Sequence, residues 1–127
     1  IKDRFMDNEQ EVTLLRGESD VIMMRAKVRD LAREIGMDMM QQASVSLAAS
    51  SLAHALGFRG MQEGHVTIER LRRDGRDGLR VVFLKDKGVA SELSSAQLSD
   101  AKWMVDELQI ESLPSQQLQV TLIKWLN

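Results

Sequence analysis

The chain has 127 residues, 43% of them hydrophobic and 28% charged, with a single proline and no cysteine. That composition suits one soluble globular domain with its own core and excludes both a disulfide framework and a cysteine-based metal site. A net charge of -2, with Lys and Arg scattered along the chain, leaves no block of positive potential for nucleic acid or anionic lipid, and no apolar run approaches the roughly 20 residues that a membrane span needs.

Residues 1–10 are read as a flexible N-terminus or tag remnant, too charged for a secretory leader, and residues 11–127 as a single domain expected in the cytoplasm. Within 11–16, Val12, Leu14 and Leu15 stand among polar residues in a near-alternation that suits a short strand, which Gly17 ends. Ser19 or Asp20 is the expected cap of a helix on which Val21, Met24, Val28, Leu31 and Ile35 recur at spacings of three and four, and Gly36 closes it. Asp38 caps a second helix over 39–56. One side of that helix, Ser44, Ala48, Ser51 and Ala55, is built only of small residues, and Gly57 stops it. From His65 the period becomes two, with Val66, Ile68 and Leu71 set against Thr67, Glu69 and Arg70; Asp74-Gly75 and Asp77-Gly78 mark a turn.

The partner strand, 79–84, holds Val81, Val82, Phe83 and Leu84 in a nearly continuous apolar run, which predicts a central strand with another layer packed over it. Residues 85–95 read as a loop. A third helix over about 95–108 offers Leu98, Ala101, Met104, Val105 and Leu108 to a core, with Trp103 on its flank. Short strands at about 109–113 and 117–125, joined around Pro114 and Ser115, close the chain. This order has too few strand-helix-strand crossovers for a doubly wound sheet. The expected fold is an α/β two-layer sandwich: a mostly antiparallel mixed sheet of about five strands, covered on one face by three helices.

Three local sequences give this order a likeness. Residues 43–56 (ASVSLAASSLAHAL), residues 78–88 (GLRVVFLKDKG) and the closing Lys124-Trp125-Leu126 resemble, respectively, the nucleotide helix, the central strand with its Asp-x-Gly loop, and the chain end of the GHKL ATPases, in particular the RsbT-type serine kinases that control stress sigma factors by partner switching. The resemblance covers nearly the whole chain and implies the Bergerat-type sandwich. In that family the helix supplies a Glu as proton acceptor and, four residues on, an Asn that holds magnesium; helical spacing puts both on one side. The matching positions here are Ser51 and Ala55, a feeble base and a side chain with no oxygen for a metal. The family's Asp-x-Gly-x-Gly, whose carboxylate accepts from the adenine amino group, is represented by Asp86 and Gly88 alone, and no glycine-rich lid follows through residues 90–95.

The resemblance therefore implies a degenerate member: no catalytic residue, Ser51, Ala55, Asp86 and Gly88 as remnant nucleotide-site positions, and no cofactor. Its first reading is a non-catalytic protein-binding module, a pseudokinase, whose partner by analogy is a STAS-domain protein, a sigma factor or the regulatory region of a PPM-type phosphatase. The alternatives are an ATP- and magnesium-dependent serine kinase acting on a STAS-domain antagonist through a rearranged site on Asp86 and Gly88, and a regulatory domain of a larger signalling protein. Met23, in a methionine cluster, and Arg70, Arg72, Arg73 and Arg76 on the central hairpin are candidate partner-binding residues, although methionines also fill cores and charged hairpins also serve as solvated edges. His54 and His65 lie far apart in sequence with no carboxylate at ligand spacing, so no metal site is expected. The sequence leaves a homodimer open.

Overall fold

A computed structural model describes residues 4–5, 11–58, 63–87, 93 and 95–127. In chain order the elements are β1 (Arg4–Phe5), β2 (Glu11–Leu15), α1 (Glu18–Ile35), α2 (Met39–Ala55), β3 (Gly64–Arg73), β4 (Arg76–Lys85), α3 (Ser95–Met104), β5 (Glu107–Ser112) and β6 (Leu118–Trp125). The strands form one sheet in the order β1-β3-β4-β6-β5, with β2 sharing the outer side of β3 with β1. Every pairing is antiparallel. The α/β two-layer fold expected from the sequence is the one observed, with every registered pair antiparallel where a mixed sheet was anticipated.

Strand periodicity divides the sheet cleanly. Val66 and Ile68 of β3, Leu79, Val81 and Phe83 of β4, and Leu118, Val120 and Leu122 of β6 share one face and are fully buried under the helices. On the helical side the apolar stripe of α1 (Val21, Met24, Val28, Leu31, Ile35) and the buried residues of α2 complete the same core. α2 lies between α1 and α3, while α1 spans β2, β3 and β4 and α3 sits over β5.

The helix ends follow from local chemistry. Asp38 Oδ1 accepts from the Gln41 N–H at 2.8 Å, which is the expected cap of α2. At the other end of α1, Gly36 takes the left-handed conformation (φ 108°), so that its own N–H donates to the Arg33 carbonyl and that of Met37 to the Ala32 carbonyl, a Schellman closure. Gly57 (φ 85°) does the same for α2, with Phe58 donating to the Ala53 carbonyl.

Four boundaries differ from the sequence reading. α1 begins after Gly17, not at Ser19 or Asp20; Asp20 lies within the first turn, and its carboxylate accepts from the Arg16 N–H at 3.0 Å, reaching back as acidic residues of a capping box do. Only Asp74-Gly75 forms the hairpin turn, and Asp77-Gly78 belongs to β4, because the strand resumes at Arg76. α3 stops at Met104, so Leu108 reaches the core from a strand rather than a helix. The two-residue β1 escaped periodicity altogether, being too short to show any.

A second, smaller cluster lies on the face opposite the helices, where Leu71, Ile123 and Trp125 are buried together. The Trp125 ring lies so close over β4 that a Cβ at Gly78 would stand 2.6 Å from its Cε3 atom. Gly78→Val is therefore expected to destabilise the domain by about 1–3 kcal/mol, the usual range for forcing atoms into an occupied site, and Trp125→Ala by about 3–5 kcal/mol; urea unfolding followed by far-UV circular dichroism measures both. Removing the cap by Asp38→Ala should cost about 1 kcal/mol in the same assay.

Candidate functional site

α2 carries the positions that the sequence singled out. Ser51 and Ala55, one helical turn apart, lie on one side of the helix and are half-buried. Ala55 packs against the main core, and among the described residues the Ser51 hydroxyl makes no hydrogen bond. The deeply buried small residues are Ser46, Ala48, Ala49, Ser50 and Ala53. Of the row of small residues expected as one packing side, only Ala48 is deeply buried, whereas Ser44, Ser51 and Ala55 are half-buried along its margin. Small side chains over such a wide arc let α1 and α3 approach α2 from both sides. The two buried serines close on their own helix, Ser46 Oγ donating to the Ala43 carbonyl at 3.2 Å and Ser50 Oγ to the Leu47 carbonyl at 3.1 Å, so neither hydroxyl needs a partner elsewhere.

Beyond the end of α2 the interior is filled by aromatic rings. Phe58 and Phe83 are fully buried, with ring centroids 6.3 Å apart and planes tilted by 34°. Phe58 lies on the start of β3, where a Cβ at Gly64 would fall 2.5 Å from its ring. Gly64 pairs across the sheet with Lys85, the residue before Asp86. Asp86 itself stands exposed on the bend that follows β4, and Gly88, the other remnant position, lies outside the described residues, as do residues 89–92 of the expected lid region.

The candidate partner-binding residues do not form one patch. Met23 is exposed on α1 while its neighbour Met24 is wholly buried. Arg70 and Arg72 both approach the Asp77 carboxylate, at 3.6 and 3.8 Å, and register puts all three on the helix side of the sheet near the hairpin end. Arg73 and Arg76 project on the opposite side, where their guanidinium carbons lie 4.9 and 5.3 Å from the Trp125 ring centroid. Arg73 also pairs with Glu107 at 2.8 Å, and Arg80 with the buried Glu69 at 2.8 Å. The alternation of β3 thus divides the arginines between the two faces of the hairpin.

Around Trp125 a network closes that residue-by-residue reading missed. Its Nε1–H donates to Glu107 Oε2 at 2.9 Å, its backbone N–H to Asp106 Oδ2 at 2.6 Å, and its carbonyl accepts from the Gln41 side chain of α2 at 3.1 Å. The only prior signal was the Lys-Trp-Leu ending. His54 Nε2 lies 3.5 Å from Glu18 Oε1, bridging the end of α2 to the start of α1, and His65 is exposed on β3. Among the described residues no group of three or more His, Asp or Glu side chains is arranged to hold a metal ion, and no helix is long and apolar enough to cross a membrane.

No protein-family model matches the chain. The chain is similar to the serine/threonine-protein kinase RsbT of Bacillus subtilis (strain 168), 25% identical over 132 residues that cover 94% of this chain and 98% of RsbT. The likeness runs from end to end of both proteins and is not confined to one motif, which supports a distant RsbT-like relationship for the whole domain.

Proposed function

We propose that the protein is a degenerate RsbT-like switch protein, a non-catalytic protein-binding module in a bacterial signalling or partner-switching pathway. The observation that carries this reading is the state of α2. Where the resemblance calls for a general base and a magnesium ligand, the helix has Ser51 without a hydrogen bond among the described residues and Ala55 packed on the core. Phosphoryl transfer depends on positioning and on charge neutralisation by metal and amide groups, and neither residue supplies them. Phe58 adds to the same reading, since its buried ring fills the interior against Gly64 at the end of the sheet where β3 begins and β4 ends. End-to-end similarity to RsbT supports retention of the scaffold. The partners that fit are those of the analogy, a STAS-domain protein, a sigma factor or a phosphatase regulatory region, and a cytoplasmic location goes with them.

The name of the relative, a serine/threonine-protein kinase, together with the exposed Asp86, favours one rival: an ATP-dependent serine kinase with a rearranged site. Calorimetric titration with Mg-ATP separates the two. No saturable heat is expected at micromolar nucleotide, and saturable binding would overturn the proposal. Stability provides an independent check, because under this reading position 55 serves the core. Ala55→Asn should lower the unfolding free energy by about 1–3 kcal/mol through burial of an unpaired amide, and Mg-ATP should not restore it; restoration by the nucleotide would count for a working metal site.

A further inference from the structure

β5 is an edge strand: among the described residues it pairs with β6 on one side and with nothing on the other. Leu113 N–H donates to the Gln117 carbonyl at 2.8 Å at the turn of the β5–β6 hairpin, which fixes the alternation of the ladder. Gln109 and Glu111 direct their backbone groups toward β6, and Leu108, Ile110 and Ser112 direct theirs outward. Two of the devices that block addition at an edge are missing, since Glu107–Ser112 contains no proline and no lysine.

A groove of about 490 Å³ runs beside this edge on the helix side, between α3 and β5. It is lined by Leu93, Leu98, Leu108 and Ile110, with Lys102 at its margin. The residues with outward backbone groups, Leu108 and Ile110, are thus also residues whose side chains form the groove. On the opposite face β5 carries Glu107, Gln109 and Glu111, alternating with the leucine and isoleucine. Glu107 is engaged by Arg73 and Trp125, whereas Glu111 faces the neutral Gln119 across the ladder and has no cationic partner among the described residues.

We infer that the β5 edge and its groove form a docking site for an extended segment of another protein, one with apolar residues at every second position and lysine or arginine between them. This rests on the reading of the chain as a protein-binding module and adds where and how it binds. The added strand would satisfy the outward groups of Leu108, Ile110 and Ser112, set its apolar side chains beside Leu98 and Ile110, and bring a cation to Glu111. Such β-augmentation takes affinity from main-chain bonds and specificity from alternate side chains. A second copy of this chain lacks the cation: paired antiparallel about Gln109, Glu107 of one copy would face Glu111 of the other, and paired about Ile110, Glu111 would meet only the neutral Gln109.

The test is a titration of the full isotope-labelled chain, followed by amide NMR and hydrogen exchange, with a short synthetic peptide alternating valine and lysine and a control alternating valine and glutamate. The valine-lysine peptide should perturb β5 and α3 saturably and slow exchange at the amides of Leu108, Ile110 and Ser112. Replacing its lysines by glutamates, or introducing Glu111→Lys at an exposed position where folding is unaffected, should weaken binding by about tenfold or more. Equal binding of both peptides, unchanged exchange at those three amides, perturbations centred on β2 or the arginine hairpin, or no binding at all would overturn the inference. None of these outcomes alters the Mg-ATP result, so the docking site and the non-catalytic reading fail separately.

Discussion

Trp125 is the residue on which the two faces of the sheet are tied together. Its ring covers Gly78 on the side away from the helices and lies beside Leu71 and Ile123. Its indole N–H holds Glu107 at the start of β5, Arg73 and Arg76 lie along the ring from the hairpin, and its carbonyl receives the side chain of Gln41 through the sheet's end from α2. The next residue, Leu126, donates its N–H to the Asp77 carbonyl at 2.9 Å, which extends the β4 contact past the strand. One side chain and two peptide groups therefore couple β3, β4, β5, β6 and α2. Because the members share partners, their contributions are coupled and do not add as separate pairs. The constraint is geometric before it is energetic: only glycine at position 78 leaves room for the ring where it lies, since a Cβ there would stand 2.6 Å from it.

With the far end of the sheet held in this way, the polar groups of α2 find their partners within the domain. Its cap is satisfied by Asp38, its buried hydroxyls by its own carbonyls, and Gln41 by Trp125. A helix evolved to hold a metal and a phosphate keeps polar groups aimed into a cleft and tolerates their cost because the ligand offsets it. Here the two buried serine hydroxyls point back into the helix, and the buried Gln41 amide reaches the Trp125 carbonyl. The exception is His54 Nε2, which is buried without a hydrogen bond and faces Glu18 at 3.5 Å, and it looks toward α1, not toward the end of β4. Burial of a polar group requires this kind of internal closure, so the hydrogen bonds of α2 serve the integrity of the core.

Much of this was legible in the sequence because it depends on period. The α1 stripe, the β3–β4 hairpin, the apolar run at Val81 to Leu84 and the glycine stops at Gly36 and Gly57 are all statements about spacing or about a single backbone conformation, and each one holds. Cap assignment failed at α1 because Ser19, Asp20 and Gly17 compete within one turn, and an acidic residue inside the turn can do by reaching back what a cap does from outside. α3 was drawn too long because Leu108 keeps helical spacing from Leu98, Ala101 and Met104 while belonging to a strand; both geometries bring it to the same core. The arginine cluster is a different case. Adjacent residues of a strand point to opposite sides, so Arg72 and Arg73 lie on different faces of the hairpin, a division that nearness along the chain does not show. The long-range partners of Trp125 left no local trace, since each lies in a different element.

The two borders of the sheet explain why an accessible edge need not lead to aggregation. Beyond β3 the border is divided: β2 covers Gly64 to Ile68 and β1 covers Leu71 and Arg72, which leaves two short pieces where one long template would be hazardous. Beyond β6, β5 offers six residues in one run. A joint between β5 of one molecule and β2 of the next would repeat without closing and build a filament. It would have to form on five residues, two of which, Val12 and Leu14, present apolar side chains on the open face, where β5 presents Glu107, Gln109 and Glu111. Side chains of unlike character would then be neighbours across the new ladder, with no cation for Glu111. The mismatch between the two borders disfavours a β5–β2 joint between copies of this chain, while leaving β5 open to a strand of complementary pattern. Specificity of this kind comes as much from what the edge refuses as from what it accepts.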